Sequence, residues 1–410
     1  MEEFSKKTLS DLAKQASLQP QEKLQHQHLK NNRLCISVPK EITYQERRIS
    51  LSPLSVELLV NNGHEVKIEI GSGEKANFSD IEYSNLGGQI VYDRESAFSG
   101  DIVLKVAPPT SEEIEMMKPG QILVSALQLA DLKKETLLHL SRKKITAVAY
   151  EFFRDDAGTL PIIRAMSEIA GRASVLIAAE YLMSNSATNG KGELIGGIPG
   201  IPPTDVVIIG AGSVGEYAVR AALGLGAHVT VFDNSLHRLR RLEASIGRRL
   251  NSSTLLPHIL QKALSQCDVA IGALRSGAGR SPIVVSETMV QKMKPHSLIV
   301  DVSIDQGGCF ETSEIRNHEN PTFMKHDVLH YCVPNIASRV SRTASYALSN
   351  ILAPLIIEIA NEGGFYSYIW ADKGLRKGVY MYKGSLTNNN LGDRFGLKSQ
   401  EIDFLFSGNA

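Results

Sequence analysis

The sequence has few of the features that direct a protein to a metal, a nucleic acid or a membrane. Only four of its 410 residues are cysteines, and Cys35, Cys267, Cys309 and Cys332 lie too far apart for the paired spacing of a metal site. They are expected to be reduced, mostly buried thiols, and no metal site is predicted. Basic and acidic residues number 44 each, so no excess of charge attracts nucleic acid or an anionic membrane surface.

Long apolar runs and repeats are also missing. No apolar stretch is predicted to be long enough to cross a bilayer, and the N-terminus is polar rather than signal-like. No internal repeat or low-complexity tract stands out. These absences predict a soluble, cytoplasmic protein. Its 410 residues are enough for two ordinary domains, each with its own core.

Apolar strand-like segments alternate with helical segments from residue 33 onwards. Such alternation predicts parallel sheets covered by helices. Two long apolar helices are predicted, one over residues 161–186 and one starting near Thr343, and both are placed to connect two domains. The predicted fold is therefore α/β, with two doubly wound domains joined by two long helices, and the nucleotide-binding domain is of the Rossmann type.

The domain boundaries follow from this pattern. Residues 1–32 are a polar N-terminal extension with a thin apolar repeat, and no chemistry is assigned to them. A substrate domain is predicted over residues 33–165 together with 332–410, and the nucleotide-binding domain over residues 166–331. The tail from Gly364, which holds the single tryptophan, shows no reliable periodicity.

The most specific motif is VVIIGAGSVG, from Val206 to Gly215. An apolar strand runs into three glycines, which are suited to a tight turn, to close approach of a pyrophosphate and to close packing of the next helix. A second strand then ends in Asp233, about twenty residues on, where an acid accepts hydrogen bonds from a ribose. Because a carboxylate repels a 2′-phosphate, NAD is favoured over NADP. The predicted dinucleotide contacts in this part of the chain are Gly210, Gly212, Ser213, Val214, Gly215 and Asp233.

Polar residues at the ends of other strands mark a second group of candidates, because ligands of doubly wound sheets bind at the carboxyl ends of the strands. Lys105 interrupts the apolar run IVLKV, so it needs an anionic partner, either a substrate carboxylate or a structural acid. Arg48 follows the first strand, and Gln128 ends another apolar run. Asp305 precedes a Gly-Gly loop that can approach a ligand, whereas capping is the preferred interpretation of Asp301.

These residues lie in segments that resemble alanine dehydrogenase, a family homologous to the NAD-binding domain of proton-translocating transhydrogenase. The similarity covers roughly residues 33–362, in order, and leaves out the first thirty residues and the C-terminal tail. The segments that carry it are VPKE at 38–41, ERRISL at 46–51, LKV at 104–106, MSEIAGR at 166–172, GGIPGIPP at 196–203, GAGSVG at 210–215, VDVSIDQGGC at 300–309 and HYCVPNI at 330–336.

The resemblance implies the reversible oxidative deamination of L-alanine to pyruvate and ammonium, with NAD taking the hydride. It implies that Arg48 and Lys105 hold the substrate carboxylate and its carbonyl or imine, that Asp305 acts beside the nicotinamide, and that Asn335 lies near the substrate. It further implies dinucleotide contacts at Ser167, Asp233 and Arg238. Members of the family are commonly hexamers or dimers, so a homo-oligomer is expected.

One departure from the family pattern concerns proton transfer. Gln128 stands where the family carries a histidine that exchanges protons with the substrate, and an amide does not titrate near neutral pH. Lys105, or Asp305 through a water, is then the proposed substitute. A second departure is the segment ASRVSRT after Asn335, which lacks the prolines common in the family, so the substrate itself can differ.

Three functions remain open at this stage. The first is an NAD-dependent amino acid dehydrogenase with the alanine dehydrogenase architecture. The second is a transhydrogenase-type domain that passes hydride to NADP on a partner, although MSEIAGR is too short for that family's longer loop. The third is a catalytically impaired protein that senses NAD(H) or serves in assembly, which Gln128 suggests and the presence of Arg48, Lys105 and Asp305 opposes.

Overall fold

The computed structural model of the protein describes residues 32–129, 132–184, 190–276 and 279–407. The N-terminal extension predicted over residues 1–32 lies outside the described residues, apart from Asn32. The side-chain amide of Asn32 donates a hydrogen bond to the Gly363 carbonyl at 2.7 Å, so the described chain begins against the C-terminal part of the fold.

The first sheet has eight strands in the order β15-β14-β6-β5-β4-β1-β2-β3. The pairs from β6 to β3 are parallel, whereas β14 pairs antiparallel with both β6 and β15. Both faces are covered, because alternate residues of β5 point into two separate apolar cores. The strands are β1 Cys35–Val38, β2 Glu65–Glu69, β3 Gln89–Val91, β4 Ile102–Leu104, β5 Ile122–Ser125, β6 Thr146–Ala149, β14 Val379–Tyr382 and β15 Ser385–Leu386.

The tail, which showed no periodicity in the sequence, supplies two strands to this sheet and several short helices to this half of the fold. Each of its elements is too short for a periodic pattern to emerge, so tertiary contacts decide its structure. The helices of this half of the fold are Pro53–Asn61, Asp80–Asn85, Arg94–Ala97, Ser111–Met116, Lys134–Arg142, Phe365–Ala371, Lys373–Arg376, Asn389–Phe395 and Ile402–Ser407, and its 3-10 helices are Glu74–Ala76 and Tyr150–Phe152.

The second sheet has seven strands in the order β12-β13-β11-β10-β7-β8-β9. Read from β9 to β13, this is the Rossmann order, in which the chain reverses direction across the sheet between β7 and β10. Only the edge strand β12 is antiparallel among the strands described. The strands are β7 Asp205–Ile209, β8 His228–Phe232, β9 Asn251–Ser253, β10 Val269–Gly272, β11 Leu298–Asp301, β12 Thr322–Lys325 and β13 Val328–Tyr331.

Helices and apolar cores cover both faces of the second sheet as well. Along β7, Val206 and Ile208 enter one core and Val207 and Ile209 the other. This confirms the predicted fold of two doubly wound α/β units, one of them of the Rossmann type. The helices are Ser213–Gly224, Leu236–Ile246, Pro257–Gln266 and Glu287–Val290, and the 3-10 helices are Val302–Gln306 and Ile336–Val340.

Two long helices, Pro161–Leu182 and Ser341–Asn361, connect the two units and pack against each other. The first ends at Leu182, ahead of the predicted end at residue 186, because Met183 is extended. The stretch Ile336–Asn361 reaches the length and mean hydropathy of a membrane span, contrary to the sequence-based expectation, and 56% of its most apolar window is buried inside the fold. That burial accounts for its apolar character as core packing.

The carboxyl ends of the two sheets face each other, and hydrogen bonds between their loops join them, among them one from the Arg47 amide to the Ser338 hydroxyl at 2.9 Å. The Asn335 side-chain amide donates to Glu46 Oε2 at 2.9 Å, and the Ser338 hydroxyl donates to the Gln45 carbonyl at 2.9 Å. The His318 backbone amide donates to Gln45 Oε1, also at 2.9 Å. The loops that follow the strands of one sheet therefore meet the loops of the other, and all the candidate substrate residues lie there.

Candidate active site

The glycine turn follows β7 and has the shape that a pyrophosphate requires. Gly210 has a φ of 117°, and a Cβ there would come within 2.5 Å of the Ala273 carbonyl oxygen. A Cβ on Gly215 would run into the Gly210 carbonyl, so only glycine lets the helix Ser213–Gly224 start this close to the strand. A Cβ on Gly212 would meet no atom within 4 Å. Gly212 therefore borders open space at a helix N-terminus, where the backbone is accessible to an anion.

Asp233 closes this turn from the end of β8. It is buried, and its Oδ2 accepts a hydrogen bond from the Ala211 amide at 2.8 Å while Oδ1 accepts one from the Ser235 amide at 2.7 Å. The half-exposed Arg238 guanidinium lies 3.7 Å from the same carboxylate. Asp233 and Arg238, both predicted to contact the dinucleotide, are thus brought together beside the glycine turn.

The segment MSEIAGR lies in the long helix Pro161–Leu182, which crosses the helix after the glycine turn. A Cβ on Gly171 would clash with the Val214 carbonyl and would lie 2.9 Å from the Ala218 amide. Gly171 is thus a further residue that the turn needs, and the sequence marks it only by its place in that segment. Ser167 lies one turn earlier on the same face of this helix, and its predicted contact with the dinucleotide stays a prediction.

Lys105 directly follows β4, and two carboxylates surround it. Its Nζ donates hydrogen bonds to Glu41 Oε2 at 2.9 Å and to Glu113 Oε1 at 3.1 Å, and its side chain has no exposed surface. Burial lowers the pKa of Lys105, but the two carboxylates outweigh burial and raise it. Lys105 therefore stays protonated, and of the two kinds of partner predicted for it, the described residues supply the structural acids.

Both acids are themselves held in place. Glu113 is the third residue of the helix Ser111–Met116, where Oε2 accepts from the Thr110 amide at 2.8 Å in a capping box. Its Oε1 also accepts from Arg94 at 2.9 Å. Glu41 accepts a short hydrogen bond from the Val106 amide, next to Lys105. Lys105 thus has a fixed position, with two of its three protons committed.

Arg48 forms a bidentate ion pair with Glu46. Its Nε donates to Oε1 at 2.7 Å and its Nη2 to Oε2 at 2.6 Å, and only 9% of Arg48 is exposed. Burial raises the pKa of Glu46, but Arg48 outweighs that effect and the net shift is downward. Its Nη1 contacts the Met166 sulfur at 3.4 Å, beside the segment that carries Ser167. This guanidinium is planar, fully charged and held between the two halves of the site.

Asp305 and Asn335 meet at the second sheet. Asn335 has a left-handed backbone with φ 55°, and its amide donates to Asp305 Oδ1 at 2.8 Å. Its side chain reaches Glu46 of the other sheet, so Asp305, Asn335, Glu46 and Arg48 form one connected group. Asp305 is an exposed residue at the rim of the site, but many protein atoms lie around its carboxylate. That surrounding raises its pKa, while the Asn335 amide, Arg48 and Arg275 oppose the rise.

Gln128 lies apart from this group, in the loop after β5. It has a left-handed backbone with φ 47°, and its amide donates to Glu151 Oε1 at 3.1 Å. The Leu127 amide donates to the same oxygen at 2.7 Å. Burial raises the pKa of the Glu151 carboxyl. The amide of Gln128 is thus placed at a strand end next to a carboxylate that the sequence analysis did not single out.

The structure confirms the interpretation of Asp301 as a capping residue, at the start of the 3-10 helix Val302–Gln306. Its carboxylate accepts hydrogen bonds from the Ser303 and Cys309 amides at 3.0 and 2.9 Å and from the Ser313 hydroxyl at 2.7 Å. It shapes the loop that presents Asp305 and is itself almost fully buried.

Four carboxylates of the site, Glu41, Glu46, Glu113 and Glu151, were not predicted. Glu41 and Glu46 belong to segments already marked by the resemblance, so their place in the chain was a usable signal. Glu113 and Glu151 had no such signal, because a glutamate on a short amphipathic helix or after a strand is usually solvated. Glu46 compensates the charge of Arg48, and Glu41 and Glu113 compensate that of Lys105, as charged side chains in the interior of a site require.

The comparisons with known proteins agree with this geometry. The family model described as Alanine dehydrogenase/PNT, N-terminal domain, matches residues 37–170, and the one described as Alanine dehydrogenase/PNT, C-terminal domain, matches residues 174–389. The match reaches residue 389, so the expectation that the tail lies outside the family was wrong for residues 363–389. Alanine dehydrogenase 2 of Staphylococcus aureus (strain USA300) is 37% identical over 369 residues, which are 90% of this chain and 98% of that protein.

Solved structures show the same relationship. An L-alanine dehydrogenase structure superimposes with a TM-score of 0.82 at 38% identity, over 88% of this chain and 99% of that one. A transhydrogenase from Sinorhizobium meliloti has a TM-score of 0.72 at 22% identity, over 87% of this chain and 99% of that one, and this similarity concerns the fold. With both family models matched in order and this identity across most of its length, the chain belongs to the alanine dehydrogenase/PNT family.

Proposed function

We propose that the protein is an NAD-dependent amino acid dehydrogenase that converts L-alanine, NAD and water to pyruvate, ammonium, NADH and a proton. The observation that carries this proposal is the convergence of Arg48, Asp305 and Asn335 at facing strand ends, in one hydrogen-bonded group that reaches across from the sheet with the glycine turn. Membership of the family and the identity to alanine dehydrogenase 2 support the reaction class.

The dinucleotide would be held by the turn from Gly210 to Gly215, with its pyrophosphate over Gly212 and its ribose near Asp233. The open space at Gly212 fits such a group, since the backbone there is accessible and the helix dipole favours negative charge. Ser167, Ser213, Val214, Arg238 and Asp305 complete the proposed contacts. When bound, NAD accepts the hydride; the choice of NAD over NADP is part of the proposal and rests on the carboxylate of Asp233.

The residues of the chain hold the substrate and move its proton. Arg48 binds the substrate carboxylate. The third proton of Lys105 polarises the carbonyl through its oxygen, or the imine through its nitrogen. Because Lys105 has no exposed surface, the residues around it must move when the substrate binds. Asn335 orients the substrate from the opposite side. Gln128 donates or accepts a hydrogen bond there without exchanging a proton.

Asp305 is the proposed proton acceptor. Lys105 is excluded from that role, because two carboxylates keep it protonated. Asp305 has a raised pKa, borders the rim of the site, and has one oxygen fixed by the Asn335 amide. Its other oxygen is left to take the proton released in the oxidation, directly or through a water.

The direct test is the formation of NADH, followed by absorbance, from NAD and a panel of small L-amino acids at alkaline pH, with the reverse reaction from keto acids and ammonium. We expect turnover with L-alanine. Binding of NADH, measured by fluorescence titration, is run on the same preparation. NADH binding without turnover on any member of the panel would contradict the proposed reaction and favour the NAD(H)-sensing alternative that Gln128 suggests.

A second prediction separates dinucleotide binding from folding. Gly212→Val is expected to leave the melting temperature unchanged, because its Cβ meets no atom, and to weaken NADH binding at least about tenfold by obstructing the pyrophosphate. Gly215→Ala is the matched control, since its Cβ meets the Gly210 carbonyl and should lower the melting temperature instead. Thermal unfolding and NADH titration of both variants measure the two effects. Unweakened binding in Gly212→Val would place the pyrophosphate elsewhere.

The remaining assignments belong to the same proposal. We place a substrate domain at residues 33–165 and 332–410, and the nucleotide-binding domain at residues 166–331, after an N-terminal extension at residues 1–32. The protein is proposed to be a cytoplasmic homo-oligomer, a hexamer or a dimer, that acts on a small amino acid or keto acid, with no nucleic acid or membrane partner.

A further inference from the structure

The backbone at Gln128 is held by one oxygen of Glu151. Glu151 lies in the 3-10 helix that follows β6, and its Oε1 accepts both the Leu127 amide at 2.7 Å and the Gln128 amide at 3.1 Å. Gln128 is held in a left-handed conformation, which a residue other than glycine adopts at a cost. The Glu151 carboxylate therefore holds the backbone of the loop after β5 at Leu127 and Gln128.

The second oxygen of Glu151 has no partner. Oε2 is buried and makes no hydrogen bond with any described residue. Leaving a buried carboxylate oxygen unpaired is costly, and this cost is removed if a donor reaches it in another state of the protein. The neighbouring Tyr150 is buried, but its hydroxyl already donates to the Val106 carbonyl.

Arg275 is a donor of the right charge on the opposite side. It follows β10, two residues after Ala273, whose carbonyl packs on Gly210 of the glycine turn. The backbone amide of its neighbour Ser276 donates to Gln306 Oε1 at 3.0 Å. This hydrogen bond ties the loop to the residue next to Asp305. Arg275 itself is exposed and makes no hydrogen bond or ion pair within the described parts of the chain.

The charge of Arg275 already acts on the carboxylates across from it. It favours the ionised forms of both Glu151 and Asp305 and so opposes the rise in pKa that burial causes at each carboxyl. The other two cations of the site are engaged, Arg48 with Glu46 and Lys105 with Glu41 and Glu113. Among the described cations considered for this site, Arg275 is one that is available to pair with Glu151.

We propose that Arg275 and Glu151 form an ion pair across the two sheets when the site closes on its ligands, and that this pair positions the Leu127–Gln128 backbone against the substrate. Both are positioning residues, since neither needs to touch the reacting atoms. The pair rests on the proposed function only for the identity of the substrate. The pair also explains how Gln128 can occupy this position in the site. The Glu151 carboxylate holds the Gln128 backbone amide, and Arg275 would fix that carboxylate when the site closes.

The test is a double-variant cycle with Glu151→Gln and Arg275→Met. Glutamine keeps an oxygen that can accept the Leu127 and Gln128 amides, so the fold should survive. Each single change is expected to lower kcat/KM for the amino acid about tenfold. The double variant is expected to have the same kcat/KM as the less active of the two single variants. Arg280→Met is the matched control on the same loop, because the Arg280 guanidinium donates to the Gly307 carbonyl instead. Its effect should add to that of Glu151→Gln.

A readout without turnover separates this pair from the proposed reaction. Amide hydrogen exchange of the segment around Leu127 and Gln128 is measured with and without saturating NADH or NADPH. Nucleotide should protect this segment in the parent protein, and either single variant should lose that protection while Arg280→Met keeps it. Absent protection in the parent, or additive losses for Glu151→Gln and Arg275→Met, would overturn the ion pair. Protection that follows this pattern in a protein inactive on every amino acid would keep the pair and reject the reaction.

Discussion

Replacing Lys105 by methionine is expected to lower the free energy of unfolding by about 3–5 kcal/mol and kcat/KM by about 10²–10³. The loss of stability follows because Glu41 and Glu113 would remain buried without the ammonium that they share. The loss of activity follows because the substrate would lose the group that polarises its reacting carbon. Urea unfolding at neutral pH and steady-state NADH formation measure the two effects.

A second change separates the two roles of Lys105. Adding Glu41→Gln to Lys105→Met removes one uncompensated charge and keeps an oxygen for the Val106 amide, so part of the stability should return while the activity does not. The control is Arg33→Met, which breaks the exposed ion pair with Glu65 and should cost less than about 1 kcal/mol. If Lys105→Met retained the parent kcat/KM, Lys105 would be a structural cation only, which is the other role that the sequence left open.

The fold was predictable because its strands are buried on both faces. Segments such as IVLKV and VVIIG are apolar at nearly every position, which is typical of parallel strands under two layers of helices. The glycine turn was predictable for a related reason, since Gly210 and Gly215 occupy positions where a Cβ would meet backbone atoms. Steric requirements of this kind are local, and they leave a pattern in a single sequence.

The tail and the far partners of the site residues were not predictable in the same way. The strand Val379–Tyr382 pairs with β6, more than two hundred residues earlier, and its place is decided by that edge rather than by its own four residues. Arg48 could be assigned to a strand end from the sequence. Whether Glu46 pairs with Arg48 or with the neighbouring Arg47 could be decided only from the structure. The sequence shows which residues are polar, and the fold decides which charges meet.

Lys105 illustrates the same limit more sharply. A lysine in an apolar run predicts a buried charge and hence an anionic partner, but the identity of that partner depends on the helix Ser111–Met116, whose capping box directs Glu113 back to the end of β4. Glu151 is similar, because its two hydrogen bonds to the loop at Gln128 join residues that follow neighbouring strands. Neither contact has a sequence spacing that would indicate it.

Replacing Asp305 by asparagine is expected to lower kcat/KM for oxidative deamination by about 10²–10⁴, the usual contribution of a positioned proton acceptor. Asparagine still accepts the Asn335 amide but cannot take a proton. Protein around Asp305 raises its pKa, so the parent activity should fall as the pH drops through a midpoint higher than that of an ordinary aspartate. This acid limb of the kcat/KM profile should disappear in Asp305→Asn.

The stability of Asp305→Asn should change in the opposite direction. A carboxyl whose pKa is raised by folding binds its proton more tightly in the folded state, so its contribution to stability is present below the unfolded pKa and is lost as the pH rises through the folded pKa. At neutral pH the variant should therefore be at least as stable as the parent. Urea unfolding at neutral and mildly acidic pH measures this, and a destabilised variant would mean that the lost activity reports folding rather than proton transfer.

Gln128→His in the Asp305→Asn background completes the argument about the proton. A histidine at this strand end titrates near neutral pH and would offer a second acceptor, so it should recover about tenfold in kcat/KM, with a new midpoint in the histidine range. If Gln128→His gave its full gain in the parent and none in Asp305→Asn, the histidine would act through Asp305 rather than replace it. Proton transfer at this site would then require both positions, and Gln128 would mark a slower enzyme rather than a different proton path.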